Sequence, residues 1–233
     1  MDIQIQLLQK RYGKAMVVNI PMLTLKQGEL VGLVGNNGAG KTTLMRLILD
    51  LIEPTQGFVC SNGKKVNETE AWKQYTGSFI DGRFLIELYT PEEYFRFIAA
   101  VYGIDDATLR ERLAYYAPLM HDEILGKKKY IRDFSQGNKQ KIGIIGAMLI
   151  HPQVLILDEP FNFLDPSSQI QVSKFIKRIN EELGTLVLLS SHNLKFVADI
   201  SSRILLMEKG EIIKDLPNND GRAMQTLAAY FGE

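Results

Sequence analysis

The sequence predicts an α/β fold with a mostly parallel sheet, an N-terminal antiparallel β subdomain and an inserted helical subdomain. Apolar and polar residues alternate at the start of the chain, helical patterns fill residues 81–150, and continuous apolar strands alternate with helices in the final third. Strands that are apolar on both faces are typical of parallel sheets covered by helices. We therefore expect a single domain over residues 1–233, with a core formed by 1–80 and 151–233.

Strands are expected first. Ile3, Ile5 and Leu7 alternate with polar neighbours, and residues 29–34 form a short apolar run suited to a buried strand. Apolar residues then recur at helical spacing, at Leu44, Leu47, Ile48 and Leu51. This helix is expected to end at Pro54.

The middle block, residues 81–150, is predicted to be helical. Thr90 and Glu93 fit a capping box around a proline at the first helical position. Leu109, Leu113 and Tyr116 mark a second helix, and Ser135 can cap a third that ends before Pro152. The final third is expected to contain strands at 154–160, 185–192, 203–207 and 211–213, with helices at 167–183, near Asn193 and at the end of the chain.

Composition limits the possible functions. The 233 residues are 45% hydrophobic and carry 27 basic and 27 acidic side chains, so no overall charge favours nucleic acid as a partner. One cysteine, Cys60, allows neither an internal disulfide nor a cysteine-built metal site. The start of the chain does not resemble a signal peptide, and its apolar runs are too short to cross a bilayer. We expect a cytoplasmic protein.

The stretch LVGLVGNNGAGKTTLMRLIL contains the spacing G-x-x-x-x-G-K-[ST] of a phosphate-binding P-loop, between a strand and a helix. Bare glycine backbone lets N–H groups converge on a β-phosphate, and the helix directs its positive dipole end at the same anion. Lys41 is expected to reach the β- and γ-phosphates, and the Thr42 hydroxyl to hold Mg²⁺. The whole predicted nucleotide loop comprises Gly35, Asn36, Asn37, Gly38, Ala39, Gly40, Lys41, Thr42 and Thr43.

A second motif, LILDEP, supplies two carboxylates at the end of an apolar strand. Asp158 is placed to bind Mg²⁺ through water, and Glu159 to orient or deprotonate an attacking water. Acids at strand ends are common, so this pair alone does not indicate catalysis. Together with the P-loop upstream it predicts a site for nucleotide hydrolysis.

Over nearly its full length the chain resembles the ATP-binding subunits of ABC transporters. Tyr12 in KRYGK resembles the aromatic residue that stacks on adenine, although a strand-surface tyrosine would look the same. FSQGNKQK resembles the family signature through Ser135 and Gly137. FNFLDP resembles the loop after the catalytic glutamate, with Asp165 as its aspartate, and SSHNL resembles the switch region, in which His192 would contact the γ-phosphate.

The resemblance implies a head-to-tail dimer, most simply a homodimer, with two ATP molecules held between the chains. Each P-loop would face the signature of the other chain, where Ser135 begins a helix whose N-terminus suits a γ-phosphate. It also implies a separate transmembrane permease subunit beneath which the protein lies, on the cytoplasmic face of the membrane. The helical subdomain and the loop containing Asp81 would form the docking surface, where Phe79, Phe84, Leu85 and Tyr89 either line a groove for a helix of the partner or pack the subdomain. The form of FSQGNKQK favours export over import.

The chain departs from the family pattern in three motifs, at four positions. Asp81 stands where the family has glutamine, and it could contact Mg²⁺ directly. Gln136 and Asn138 replace glycine and glutamine in the signature, and Phe163 replaces a small residue before the loop aspartate. Two alternatives stay open: a soluble ATPase of the same class that acts on ribosomes or DNA, and a regulatory module that closes on ATP without turnover. The altered signature and Asp81 motivate the second.

Overall fold

The computed structural model describes residues 1–192, 194–218 and 222–231. Its strands are β1 (Asp2–Tyr12), β2 (Ala15–Lys26), β3 (Leu30–Val34), β4 (Gln56–Ser61), β5 (Lys64–Lys65), β6 (Thr76–Phe79), β7 (Val154–Leu157), β8 (Leu186–Ser191), β9 (Arg203–Glu208) and β10 (Glu211–Pro217). Its α-helices are α1 (Lys41–Ile48), α2 (Pro91–Val101), α3 (Asp106–Tyr115), α4 (Ala117–Met120), α5 (Gln136–Leu149), α6 (Pro166–Leu183), α7 (Leu194–Ile200) and α8 (Arg222–Phe231). No helix in this described part of the chain has the length and apolar character needed to span a membrane.

The N-terminal sheet is antiparallel, with the strand order β2-β1-β4-β5. Ile3 and Ile5 of β1 are buried, as their alternation predicts, but Leu7 is 61% exposed and Leu8 is buried instead. A bulge causes this change, because the register of β1 with β4 shifts between Gln6 and Gln9. One extra residue moves the following side chains to the opposite face of a strand.

The central sheet has the order β10-β9-β3-β8-β7-β6, and all its neighbouring pairs are parallel except β10 with β9. Each residue of β3, β7 and β8 is buried. Successive side chains point to opposite faces, so Leu155 packs in the cluster with the helices α2 and α5, and Ile156 packs in the cluster with α1 and the antiparallel sheet. The carboxyl ends of β3, β7 and β8 meet at one edge, where ligands bind in open α/β sheets.

The predicted mostly parallel sheet, antiparallel subdomain and helical block are confirmed. The capping box forms, with Thr90 and Glu93 bonded to each other's backbone N–H groups. Two details differ from expectation. Helix α1 ends at Ile48, well before Pro54, because Leu51 N–H bonds back to the carbonyl of Arg46, and the short helix α4 has no signal in the sequence pattern. Asn193, predicted near the start of a helix, lies outside the described residues.

Candidate functional site

The loop of residues 35–43 connects β3 to α1 and borders a cavity of about 250 Å³. A Cβ on Gly35 would lie 2.2 Å from the carbonyl oxygen of Met207, and one on Gly40 would lie 2.5 Å from that of Val17. Both glycines also have positive φ angles, of 157° and 108°. No larger residue fits at either position without a shift of the backbone. The cavity is lined by Val17, Asn37, Gly38, Ala39, Gly40, Lys41, Thr42, Thr43, Asp158 and Glu159.

Lys41 is the first residue of α1, so the N-terminus of this helix borders the cavity. The side chain is only 7% exposed. Its ammonium donates to the carbonyl oxygens of Gly35 at 2.6 Å and Asn36 at 3.3 Å. A buried cation and a helix N-terminus together favour an anion in this cavity.

Asp158 follows β7 and joins the P-loop helix to the end of β8. Its Oδ2 accepts a hydrogen bond of 2.5 Å from the Thr42 hydroxyl, and its Oδ1 accepts one from the Ser190 hydroxyl. A hydroxyl and a carboxylate are oxygen ligands of the type that Mg²⁺ prefers. Among the residues that the structure describes, no group of three or more acids, histidines or cysteines could hold a metal by itself. Thr42 and Asp158 therefore fit a Mg²⁺ ion whose remaining ligands would be oxygens of a bound phosphate and water.

Glu159 has a left-handed backbone, with φ of 48°. Its N–H donates to the Ser190 hydroxyl at 2.9 Å, and its carbonyl accepts from Gln140 Nε2 at 3.1 Å. Its Oε2 lies 2.9 Å from His192 Nδ1. The carboxylate and the imidazole predicted to be catalytic thus lie side by side at the edge of the cavity.

The signature residues lie outside this cavity. The Ser135 hydroxyl caps α5 by accepting from the N–H of Asn138 at 3.3 Å. A Cβ on Gly137 would lie 2.7 Å from the carbonyl oxygen of Phe163, so the first turn of α5 packs against the loop after Glu159. The N-terminus of α5 at Ser135 is therefore separate from the cavity that Lys41 borders, and a nucleotide contact there stays a prediction.

Asp165 caps α6, since its Oδ1 accepts from the N–H groups of Ser167 and Ser168 at 3.0 and 3.1 Å. Hydrogen bonds from the two serines, that of Ser167 first, hold the pKa of Asp165 well below its usual range. Asp165 is not part of the cavity lining. Its structural task in the chain is therefore a helix cap, and a nucleotide contact stays a prediction.

Two further predicted residues also lie outside the cavity lining. Tyr12, at the end of β1, is 53% exposed, with the Lys10 ammonium 5.1 Å from its ring centroid. Asp81 Oδ2 accepts from Arg83 Nε at 2.9 Å and Nη2 at 2.6 Å, and these bonds lower the pKa of Asp81. The Asp81 carboxylate, which was expected to face Mg²⁺, is instead hydrogen-bonded to the Arg83 guanidinium.

Ser190 and Gln140 are site residues that lie within the quoted motifs SSHNL and FSQGNKQK but to which the sequence interpretation assigned no role. Ser190 is fully buried at the end of β8, and Gln140 is 8% exposed on α5. The only sequence signal for Ser190 is its position two residues before His192, and Gln140 has none beyond its place in FSQGNKQK. Their roles follow from tertiary contacts.

Comparisons with known proteins agree with this geometry. Residues 18–162 match the family model described as ABC transporter. The chain is 33% identical to the bacitracin transport ATP-binding protein of Enterococcus faecalis, over 92% of this chain and 68% of that protein. It is 30% identical to the lantibiotic transport ATP-binding protein of Streptococcus pyogenes, over 97% and 95% of the two chains.

Solved structures show the same fold. An ATP-binding subunit of an ABC transporter superposes with a TM-score of 0.84 at 27% identity, covering all of this chain and 94% of that one. A dimeric bacterial ABC transporter cassette gives 0.83 at 23% identity, over 93% and 99% of the two chains, and at that identity the likeness concerns the fold alone.

The chain belongs to the ABC transporter family. It is an ATP-binding subunit with ATPase activity, of the kind that pairs with a second ATPase subunit and with a membrane permease subunit. Family membership supports the transport interpretation over the soluble and regulatory alternatives.

Proposed function

We propose that this chain is the MgATP-hydrolysing subunit of an exporter, and that it acts as a homodimer at the cytoplasmic face of the membrane. The observation that carries the proposal is the cluster of Thr42, Asp158, Ser190 and Glu159 beside the P-loop cavity. Export is proposed from the form of FSQGNKQK. Two relatives are named as bacitracin and lantibiotic transport proteins, which supports a role in transport. The proposed domain is the whole chain, with residues 81–150 as its helical subdomain.

Each residue has a proposed role in hydrolysis. Lys41 and the N–H groups of residues 35–43 bind the β- and γ-phosphates. Thr42 and Asp158 would hold Mg²⁺, which would neutralise phosphate charge. Glu159 orients the attacking water and accepts its proton, and His192 contacts the γ-phosphate from beside Glu159.

Other residues are proposed to contact the nucleotide of the second copy, the adenine ring or the permease. Ser135 and Gly137 receive the γ-phosphate of the nucleotide held by the second copy, with Asp165 in the loop beside them. Tyr12 stacks on adenine. The helical subdomain and the loop containing Asp81 dock against the permease. Phe84 is 59% exposed there, whereas Phe79 and Leu85 are buried and pack the protein's own core.

The direct test is the mass of Glu159→Gln by size exclusion with light scattering, with and without MgATP. Slow hydrolysis should trap the closed dimer, so ATP is expected to double the mass, and Ser135→Arg to prevent this. A mass that stays monomeric in Glu159→Gln while ATP binds would contradict the homodimer. Turnover of the wild type must exceed that of Lys41→Ala.

A further inference from the structure

Glu159 is held on three sides by residues from three different elements. Ser190 of β8 accepts its N–H, His192 lies beside its carboxylate, and Gln140 of α5 donates to its carbonyl at 3.1 Å. The same carbonyl also accepts from the N–H of Asn162 at 3.2 Å. A non-glycine residue keeps a left-handed backbone only where its surroundings hold it, so these contacts define where the carboxylate lies.

Of these contacts, the one from Gln140 comes from a helix, α5. Gln140 is 8% exposed, so its amide has little water to bond with in place of the Glu159 carbonyl. It lies on the helix that Ser135 caps, five positions after that serine. From Gln140 to Leu149 this helix is buried throughout and forms one packed element, and its first turn continues it toward Ser135.

A second contact joins the same helix to the loop after Glu159. The space that a side chain on Gly137 would need is taken by the carbonyl oxygen of Phe163. A shift of the first turn of α5 would therefore displace this loop through the contact between Gly137 and Phe163. It would also displace the start of the loop through the hydrogen bond from Gln140 to the Glu159 carbonyl. Two contacts thus connect the N-terminus of α5 at Ser135, the proposed site for the nucleotide of the second copy, to Glu159, which serves the nucleotide in the chain's own P-loop.

We propose that Gln140 is a positioning residue for Glu159, and that it ties hydrolysis in the chain's own P-loop site to the γ-phosphate that Ser135 receives from the second copy. The inference rests on the proposed function. A γ-phosphate bound at Ser135 fixes α5, α5 fixes the Gln140 amide, and the amide fixes the Glu159 carbonyl. Hydrolysis at one site then depends on an occupied signature at the other, which is a coupling between two binding sites.

The test uses Gln140→Met, which keeps the length of the side chain and removes its donor, and Gln140→Glu, a polar second variant should the first not fold. The matched control is Gln169→Met, because Gln169 Nε2 donates to the carbonyls of Phe161 and Leu164 in the same loop at 3.1 and 3.2 Å. We expect kcat to fall about tenfold or more in the Gln140 variants, with KM for ATP within about threefold of wild type. In the Glu159→Gln background, Gln140→Met should still dimerise with MgATP.

Two results would overturn the proposal. One is a kcat of a well-folded Gln140 variant within about twofold of wild type. The other is a parallel loss of kcat, dimerisation and melting temperature equal to that of Gln169→Met, since this would indicate only general loop packing. A wild type with no more turnover than Lys41→Ala is a different outcome, because it rejects the proposed function itself.

The coupling has its own readout in a double-mutant cycle on kcat at saturating ATP. If Gln140 transmits the contact at Ser135, then Ser135→Ala should lower kcat much less in Gln140→Met than in wild type. Additive effects on ln kcat would show that the two residues act independently and would refute the coupling.

Discussion

The Thr42 hydroxyl donates a hydrogen bond of 2.5 Å to Asp158 Oδ2, joining the P-loop helix to the end of β7 across 116 positions of the chain. The two motifs that carry this residue pair are unrelated in local sequence. The parallel sheet brings them together, because β3 and β7 both end at the same edge and flank β8.

This pair should set the dependence of hydrolysis on Mg²⁺. Thr42→Ala removes one oxygen ligand and leaves Asp158, so we expect the Mg²⁺ concentration for half-maximal ATPase activity to rise about 10- to 100-fold. Thr42→Ser keeps the hydroxyl and should stay within about threefold of wild type. Titration of activity with MgCl₂ measures both, and equal behaviour of the two variants would contradict the role of the hydroxyl.

Ser190 should matter for both stability and turnover. Ser190→Ala leaves Asp158 Oδ1 and the Glu159 N–H without their hydrogen-bond partner, while Thr42 still donates to Asp158 Oδ2. The cost is about 1–3 kcal/mol in the free energy of unfolding. We also expect a lower kcat, because both acids lose their support. Ser173→Ala is the control, since Ser173 is a buried serine on α6 that bonds to the Gln169 carbonyl at 3.0 Å. It should lose stability and keep its turnover.

Asp165 should make the stability of the protein depend on acid. Its pKa is lowered in the folded chain, so its contribution is complete above its ordinary value near 3.8 and is lost as the pH falls toward the folded value. Asp165→Ala removes the helix cap, and we expect a loss of about 1 kcal/mol at neutral pH.

The difference between wild type and Asp165→Ala should shrink as the pH falls below about 4, in urea melts at several pH values. Asp165→Asn keeps a capping side chain that does not titrate, so its difference from Asp165→Ala should change less with pH. A wild-type advantage over Asp165→Ala that grows in acid would have the wrong sign.

Phe163 should be a strained position. Its φ is +64° and its side chain is 70% exposed, so little packing offsets the backbone cost. A left-handed backbone destabilises a residue with a Cβ by about 1–2 kcal/mol, and glycine avoids this strain. Part of that gain in stability is lost because glycine makes the unfolded chain more flexible. We expect Phe163→Gly to be more stable than Phe163→Ala by about 0.5–1 kcal/mol in urea unfolding of the monomer. The alanine variant keeps the strain and is the matched reference.

The sequence alone was sufficient for what depends on neighbours along the chain. Gly35, Gly40 and Lys41 lie in one loop whose function needs their spacing, and Asp158 and Glu159 follow one apolar run, so strand, loop and helix could be predicted around them. The helix caps at Thr90 and Ser135 are hydrogen bonds to an N–H group three positions later, and both form as expected.

Only the tertiary structure decided what depends on residues far apart. The bulge that exposes Leu7 results from pairing with β4. Ser190 and Gln140 support Glu159 from 31 and 19 positions away, and polar side chains of these types satisfy buried partners in any protein. Their importance arises from burial beside a left-handed glutamate, a property of the packed sheet and helix that no stretch of sequence contains.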